Sequence, residues 1–342
     1  MRKSFYKTLL LMGLVLLAIS FSCADQEKVP VFTGPEVELW YDAPAADWNE
    51  ALPIGNGRLG AMVFGGTSQE RIQLNEESIW TRQGSYEDRD GTEAIPQVRQ
   101  LLFDGNYKEA QDLAVKELLQ ERLPSGTNAY QTLGDLMISY DDSSEVTDYR
   151  RSLRLDSALI RVNYTKSGNK YRREVFSSAA RNVIIFREKA ANGGKIDCHI
   201  QLTRPGEGEV VMYGDNMITM KQYVDKGDGV MLACGVKLII IGGHVHSWGD
   251  RLEVDGARSM ELRIVSSTDY FGEEPCADCE ACLGQSLECN FNRALEEHVN
   301  EYQGYFNRVD INLGGSGTTH LPTNERLDLV KKGKNDPGLT AL

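Results

Sequence analysis

Apolar and polar residues alternate with period two through most of the chain. The alternation runs through residues 37–41 and 71–74, while 59–64 is an apolar run stopped by Gly65-Gly66 and 136–140 reads as a further strand. Side chains two apart share one face of a strand, so each alternating segment predicts a strand with one buried face. Segments 158–164 and 170–176 flank Lys166-Ser167-Gly168-Asn169, a turn signal, and predict a hairpin. Segments 183–186, 195–203, 210–212, 217–220, 231–241 and 259–267 continue the series, punctuated by Gly, Asn and Asp. The pattern switches to helical spacing only locally. Ile95, Val98, Leu101 and Leu102, then Ala110, Leu113, Ala114 and Leu118, predict helices over 94–103 and 107–120, broken at Asp104-Gly105-Asn106. Near the end, helices are predicted over 292–306 and 322–330, with a last strand over 307–313 between them. Parallel α/β folds need a helix between consecutive strands, and none is read here. The fold class is therefore mainly β: a large antiparallel β-sandwich with two inserted helices and the start of a helical linker at the C-terminus.

The first residues follow another logic. Arg2, Lys3 and Lys7 precede an almost wholly apolar run over 9–21, the form of a secretory signal. The run is short for a spanning helix, which needs about 20 residues. It ends at Ser20-Phe21-Ser22-Cys23, which resembles a bacterial lipobox, although Ser20 stands where an aliphatic residue is usual. The reading is a lipoprotein signal over 1–22, lipidation at Cys23, and a polar tether over 23–35 ending near Gly34-Pro35. It implies export, with an outer-membrane lipid anchor facing the periplasm or the cell surface.

Composition narrows the partners. The chain has 342 residues, 41% hydrophobic and 25% charged, enough for a sizeable core without disulfide staples. Its net charge of −13 repels phosphate backbones and disfavours nucleic acid, while neutral sugars are not excluded.

Cys276, Cys279, Cys282 and Cys289 lie close together and read as a loop insertion. Disulfides are the commoner fate of such cysteines outside the cytoplasm, with free thiols and a metal site as alternatives. Cys198 and Cys234 sit in strand patterns and read as small buried hydrophobes. His244 and His246 share a strand face, and two exposed histidines are the favoured reading over a metal pair. Trp40, Trp48 and Trp80 could stack on a sugar, but core filling is the favoured reading. Glu76 and Glu77 are adjacent, so on a strand they face opposite ways and cannot form an acid–base pair. Asp42, Asp135 or Asp156 could meet one of them in space.

An ordered set of motifs then suggests a family. Leu52-Pro53-Ile54-Gly55-Asn56-Gly57-Arg58-Leu59-Gly60 and Leu74-Asn75-Glu76-Glu77-Ser78-Ile79-Trp80 come first. Tyr130-Gln131 with Leu133-Gly134-Asp135, Arg172-Arg173-Glu174-Val175-Phe176-Ser177-Ser178 and Leu321-Pro322-Thr323-Asn324-Glu325-Arg326-Leu327 follow in order. Together they resemble the N-terminal domain of glycoside hydrolase family 95, the inverting α-L-fucosidases. The resemblance implies a sandwich over 36–313, and over 314–342 a linker to an (α/α)6 barrel that carries the catalytic acid and base. No catalytic residue is then expected in this chain, which reads as truncated before the barrel.

The resemblance further implies a parent enzyme that removes terminal α-L-fucose from fucosylated glycans without a cofactor, with this chain as a scaffold for its barrel. Asn75, Glu76 and Trp80 are weak candidates for substrate or domain contact. The alternative function is a stand-alone carbohydrate-binding surface lipoprotein.

Overall fold

A computed structural model describes residues 37–81, 90–119, 129–206, 208–224, 229–272, 274–310 and 317–341. The leader, Cys23 and the tether lie outside the described residues. In chain order the strands are β1 (Glu38–Tyr41), β2 (Leu52–Gly55), β3 (Leu59–Val63), β4 (Gln69–Glu76), β5 (Gly134–Tyr140) and β6 (Val146–Arg154). Next come β7 (Leu159–Lys166), β8 (Asn169–Ser178), β9 (Val183–Ala190), β10 (Ile196–Thr203) and β11 (Glu209–Met212). The series ends with β12 (Met217–Tyr223), β13 (Met231–Ile241), β14 (His244–Trp248), β15 (Arg251–Ala257) and β16 (Ser259–Thr268).

The strands form two sheets. One has nine strands in the order β1-β6-β7-β8-β9-β16-β13-β12-β11, the other seven in the order β14-β15-β10-β5-β4-β3-β2. Every pairing of named strands is antiparallel, including the expected β7–β8 hairpin, where Lys166 faces Asn169. The inward positions are aliphatic. Leu74, Leu136 and Ile200 from the seven-stranded sheet and Val175, Ile184 and Leu262 from the nine-stranded sheet belong to one buried cluster.

The core between the sheets also holds charge. The Arg173 guanidinium (β8) pairs with Glu70 on β4 of the facing sheet and with Glu188 on β9, and all three side chains are fully buried. Gly65 N–H donates to Glu70 at 2.8 Å, Arg173 donates to Gly66 C=O at 2.9 Å, and Tyr164 O–H donates to Glu188 at 2.7 Å. Tyr140 O–H also donates to Glu188. Burial, with the nearby Glu188 carboxylate adding to it, raises the pKa of Glu70, although Arg173 and the Gly65 N–H pull the other way.

A third layer covers the nine-stranded sheet. Helices α3 (Pro275–Ser286) and α4 (Phe291–Phe306) bury Cys279, Leu283, Phe291, Leu295 and Val299 against Phe176, Ile185 and Val265. Pro275 opens α3 and Asn290 caps α4 by accepting from Arg293 N–H at 3.0 Å, both usual helix starts. The inserted helices α1 (Ala94–Phe103) and α2 (Tyr107–Glu117) pack on each other, and Leu102, Phe103 and Tyr107 stay exposed. Two short helices, α5 (Thr323–Lys331) and α6 (Pro337–Ala341), follow, and α5 lies beside β1.

Three expectations need correction. Residues 307–310 are a turn and coil after α4, not the start of a strand, and 311–313 lie outside the described residues. The Cys276–Cys282 segment is the helix α3, not a loop, because its apolar residues fall on one helical face over the sheet. Its thiols and Cys289 are unpaired, as are Cys198 and Cys234. Among the described residues no cluster of metal-binding side chains occurs at all. Finally, Trp48 and Trp80 are exposed and Trp40 half-buried, because aliphatic side chains already fill the core.

Removing the cation at the centre leaves two buried carboxylates without a partner. Arg173→Met is expected to destabilise the fold by about 3–5 kcal/mol in urea unfolding. Adding Glu70→Gln to it should recover part of the loss.

Candidate functional site

Three of the motifs that carry the family resemblance, Gly55-Asn56-Gly57-Arg58, Leu74 to Trp80 and Tyr130-Gln131, meet at one end of the sandwich, where β4, β8 and β16 finish and β3 and β5 begin. The Gly-Asn-Gly-Arg run makes the β2–β3 turn. Asn56 Oδ1 accepts from Arg58 N–H at 3.0 Å and Leu59 N–H at 2.7 Å, which fixes the turn, and Gly57 takes φ +94° inside it. Asn56 Nδ2 donates to Ser178 C=O at 3.0 Å, tying this turn to the end of β8 in the facing sheet.

Glu76 anchors the same end from beneath. It is 1% exposed, and its carboxylate accepts from Ser78 N–H at 2.8 Å and Ser78 O–H at 2.7 Å, with Arg58 Nε at 3.5 Å. Ser78 and Thr268 hydroxyls are 2.5 Å apart, which joins the two sheets again. Arg58 also reaches Ser266 C=O at 3.4 Å and lies 3.9 Å from Asp278 on α3. Glu76, the last residue of β4, is therefore a structural anchor, out of reach of a glycan, whereas Glu77 is exposed in the turn that follows.

Aromatic rings stand above this anchor. Trp80 meets Tyr130 edge-on at 5.2 Å, and its Nε1 donates to Glu77 C=O at 3.2 Å. Tyr130 O–H donates to Glu76 C=O at 2.6 Å, and its hydroxyl also bonds the Asn75 side chain. Burial and the nearby Glu76 raise the Tyr130 pKa, so the phenol stays neutral. The Trp80 carbonyl accepts from Val230 N–H, which brings the start of β13 and the end of β12 alongside. The loop after β16 adds Tyr270 and Phe271, edge-on at 4.9 Å, and β12 adds Tyr223. Trp80, Tyr130, Tyr223, Tyr270 and Phe271 are all exposed.

The structure thus unites Asn75 and Trp80 at this end but removes Glu76 from the candidate contacts. Sequence reasoning missed Tyr223, Tyr270 and Phe271. For Tyr270 and Phe271 the signal is the Asp269-Tyr270-Phe271-Gly272 run, large rings beside a turn residue just past a strand; Tyr223 has no such local signal.

Among the described residues, Glu76, Asp135 and Asp156, carboxylates that the sequence offers as candidates, are engaged in other contacts. Inverting hydrolysis needs two carboxyls roughly 6.5–9.5 Å apart across an accessible sugar site. Glu70 and Glu188 are sealed around Arg173. Asp135 pairs with Arg71 at 3.1 Å, and Asp156 with Arg154 at 2.6 Å. Asp42 lines a cleft with Tyr41, Glu50, Arg151 and Asn324 whose volume is about 40 Å³, room for water and not for a sugar ring.

Helix α4 docks at the same end. His298 Nε2 lies 3.0 Å from Ser157 C=O, Tyr302 O–H donates to Leu155 C=O at 2.8 Å, and Gln303 donates to Asp156 C=O at 3.1 Å. Arg181, in the β8–β9 turn, makes a two-pronged pair with Glu297 at 2.7 and 2.9 Å. Beyond α4, Thr323 accepts from Trp40 N–H at 3.0 Å, and Asp336 pairs with buried Arg326 at 2.8 Å.

The fold is a two-sheet sandwich with helices covering one face. Residues 39–273 match the model of the glycosyl hydrolase family 65 N-terminal domain, and residues 290–342 that of the glycosyl hydrolase family 95 catalytic domain. The chain belongs to the family defined by the glycosyl hydrolase family 65 N-terminal domain. It is 29% identical to Alpha-L-fucosidase 2 of Arabidopsis thaliana, over 96% of this chain and 45% of that protein. It is 26% identical to Probable alpha-fucosidase A of Aspergillus niger, over 84% of this chain and 39% of that protein. The chain thus spans less than half the length of these relatives. Among solved structures, a putative kojibiose phosphorylase from human microbiome shares the fold, with a TM-score of 0.52 at 11% identity over 83% of this chain and 40% of that one.

His298 makes the docking of α4 sensitive to pH. Burial lowers its pKa, so the neutral ring is the folded form. Stability from this group is present above the usual histidine pKa of about 6.5 and is lost as pH falls through the lower folded value. Thermal unfolding followed by circular dichroism should show the melting temperature falling between about pH 7 and pH 5, and His298→Gln should reduce that slope.

Proposed function

We propose that this chain is the N-terminal sandwich of an exported α-L-fucosidase, and that its aromatic end is the face that meets the catalytic domain. The whole enzyme would release terminal α-L-fucose from glycans by direct water attack with inversion, using an acid–base carboxylate pair held outside the sandwich. The observation that carries this reading is the exposed aromatic end. Two exposed ring pairs, Trp80 with Tyr130 and Tyr270 with Phe271, stand at the end of the sandwich whose β6–β7 and β8–β9 turns hold α4, the segment that matches the catalytic-domain model. Exposed apolar patches of this kind mark interaction surfaces. The named activity of the similar fucosidases supports the substrate.

Export and lipidation at Cys23 rest on the leader pattern. The anchor would hold the enzyme at the outer membrane, where glycans can reach it. No cofactor enters this chemistry.

The test compares the 342-residue chain with the gene product isolated from its source, on a chromogenic aryl α-L-fucoside. The gene product should turn over and release β-fucose first, seen by proton NMR, while the chain alone should match buffer. Turnover by the chain alone, or α-fucose as first product, would contradict the proposal.

A further inference from the structure

The outer face of the seven-stranded sheet ends in the hairpin β14–β15, and β14 has a strand neighbour on one side only. Along β14 the exposed positions are His244, His246 and Trp248, which therefore share one face. At about 3.3 Å per residue the three rings form a stripe roughly 13 Å long. The Trp248 residue is 67% exposed, and the Arg251 guanidinium lies 4.9 Å from its ring centre.

The polar side chains around this ring are held in place before any ligand arrives. Arg251 pairs with Glu253 at 2.6 Å, Gln201 donates to Asp250 at 2.6 Å, and His246 lies 3.5 Å from Asp255. The register lines them up: Trp248 faces Arg251, which faces Gln201, and His246 faces Glu253.

We propose that this face binds neutral oligosaccharides, with Trp248 as the stacking platform. A pyranose offers an apolar C–H face to an indole and a rim of hydroxyls that both donate and accept. Carboxylate, amide, guanidinium and imidazole groups around one exposed ring suit that chemistry. They do not suit a protein partner, because the core of a protein interface is depleted of charged residues. The carboxylates Asp250, Glu253 and Asp255 disfavour a phosphate-bearing ligand.

The choice of sugar as ligand rests on the glycosidase reading, but the site goes beyond it and needs no catalytic domain. β14 is four strands from β4, roughly 19 Å at the usual strand spacing, and Trp248 lies toward the same end of the sheet as Trp80. A glycan held there would be kept near the aromatic end without occupying it.

Titration calorimetry of the chain with 2′-fucosyllactose and with an unfucosylated neutral tetrasaccharide tests the proposal. Saturable binding of at least one is expected. Trp248→Ala should weaken it about tenfold or more, as loss of an aromatic anchor does, and Trp80→Ala should leave it unchanged. Circular dichroism melts serve as the folding control, and an exposed ring should leave them unmoved. Absence of saturable binding, or equal binding by Trp248→Ala, would overturn the site. Loss in Trp80→Ala alone would place the sugar at the aromatic end and also overturn it. These results are separate from fucoside turnover by the gene product, so the two readings fail independently.

Discussion

Arg173 sits between Glu70 and Glu188 inside a mostly apolar sandwich, beside the rings of Tyr140, Tyr164 and Phe186, and the relation of the two sheets depends on it. Glu70 comes from the seven-stranded sheet, Arg173 and Glu188 from the nine-stranded one. A buried guanidinium needs partners, and here carboxylates, the Gly66 carbonyl and the Tyr140 hydroxyl accept from its two terminal nitrogens, while the buried Nε has none. Apolar packing alone is non-directional. The ion cluster adds direction, since its geometry is met at one register and one relative position of the sheets.

A second polar clamp works at the opposite end. Asn56 reaches Ser178, Ser78 reaches Thr268, and Arg58 reaches Ser266, each crossing from one sheet to the other. With both ends fixed, the loops beyond the second clamp can carry exposed rings without taking part in the core. Trp80 and Phe271 are held up by a rigid base rather than buried in it. Helix α4 is tied to turns at this same end through His298, Tyr302 and Glu297. Stability at the base and exposure above it are two consequences of one arrangement.

Much of this was legible in the sequence. Period-two alternation located most strands, because each strand has one aliphatic face and one solvated or helix-covered face. Ala94–Phe103 was read to the residue, since a Gly-Asn break follows it. Failures arose where tertiary context decides. Cys276 to Cys282 looked like a loop because cysteine spacing drew attention from Leu283, whose contact with the sheet makes the segment a helical face. The tryptophans looked like core, because size alone favours burial and nothing local says that aliphatics have already filled it. By sequence Glu76 is a candidate for substrate or domain contact, and only the partners Ser78 and Arg58, placed by the fold, reveal it as an anchor. The exposed rings of Tyr223 and Phe271 gather with Trp80 through strand ends far apart in sequence, which no local pattern encodes.

The central claim is that the aromatic end is a covered face in the working enzyme. Amide hydrogen exchange compares it directly in the gene product and in the 342-residue chain. The account predicts slower exchange in the gene product at residues 77–81, 129–131 and 269–272, with the amides of β4 around Glu70 equally protected in both. Equal exchange at the aromatic end in the two proteins would contradict it.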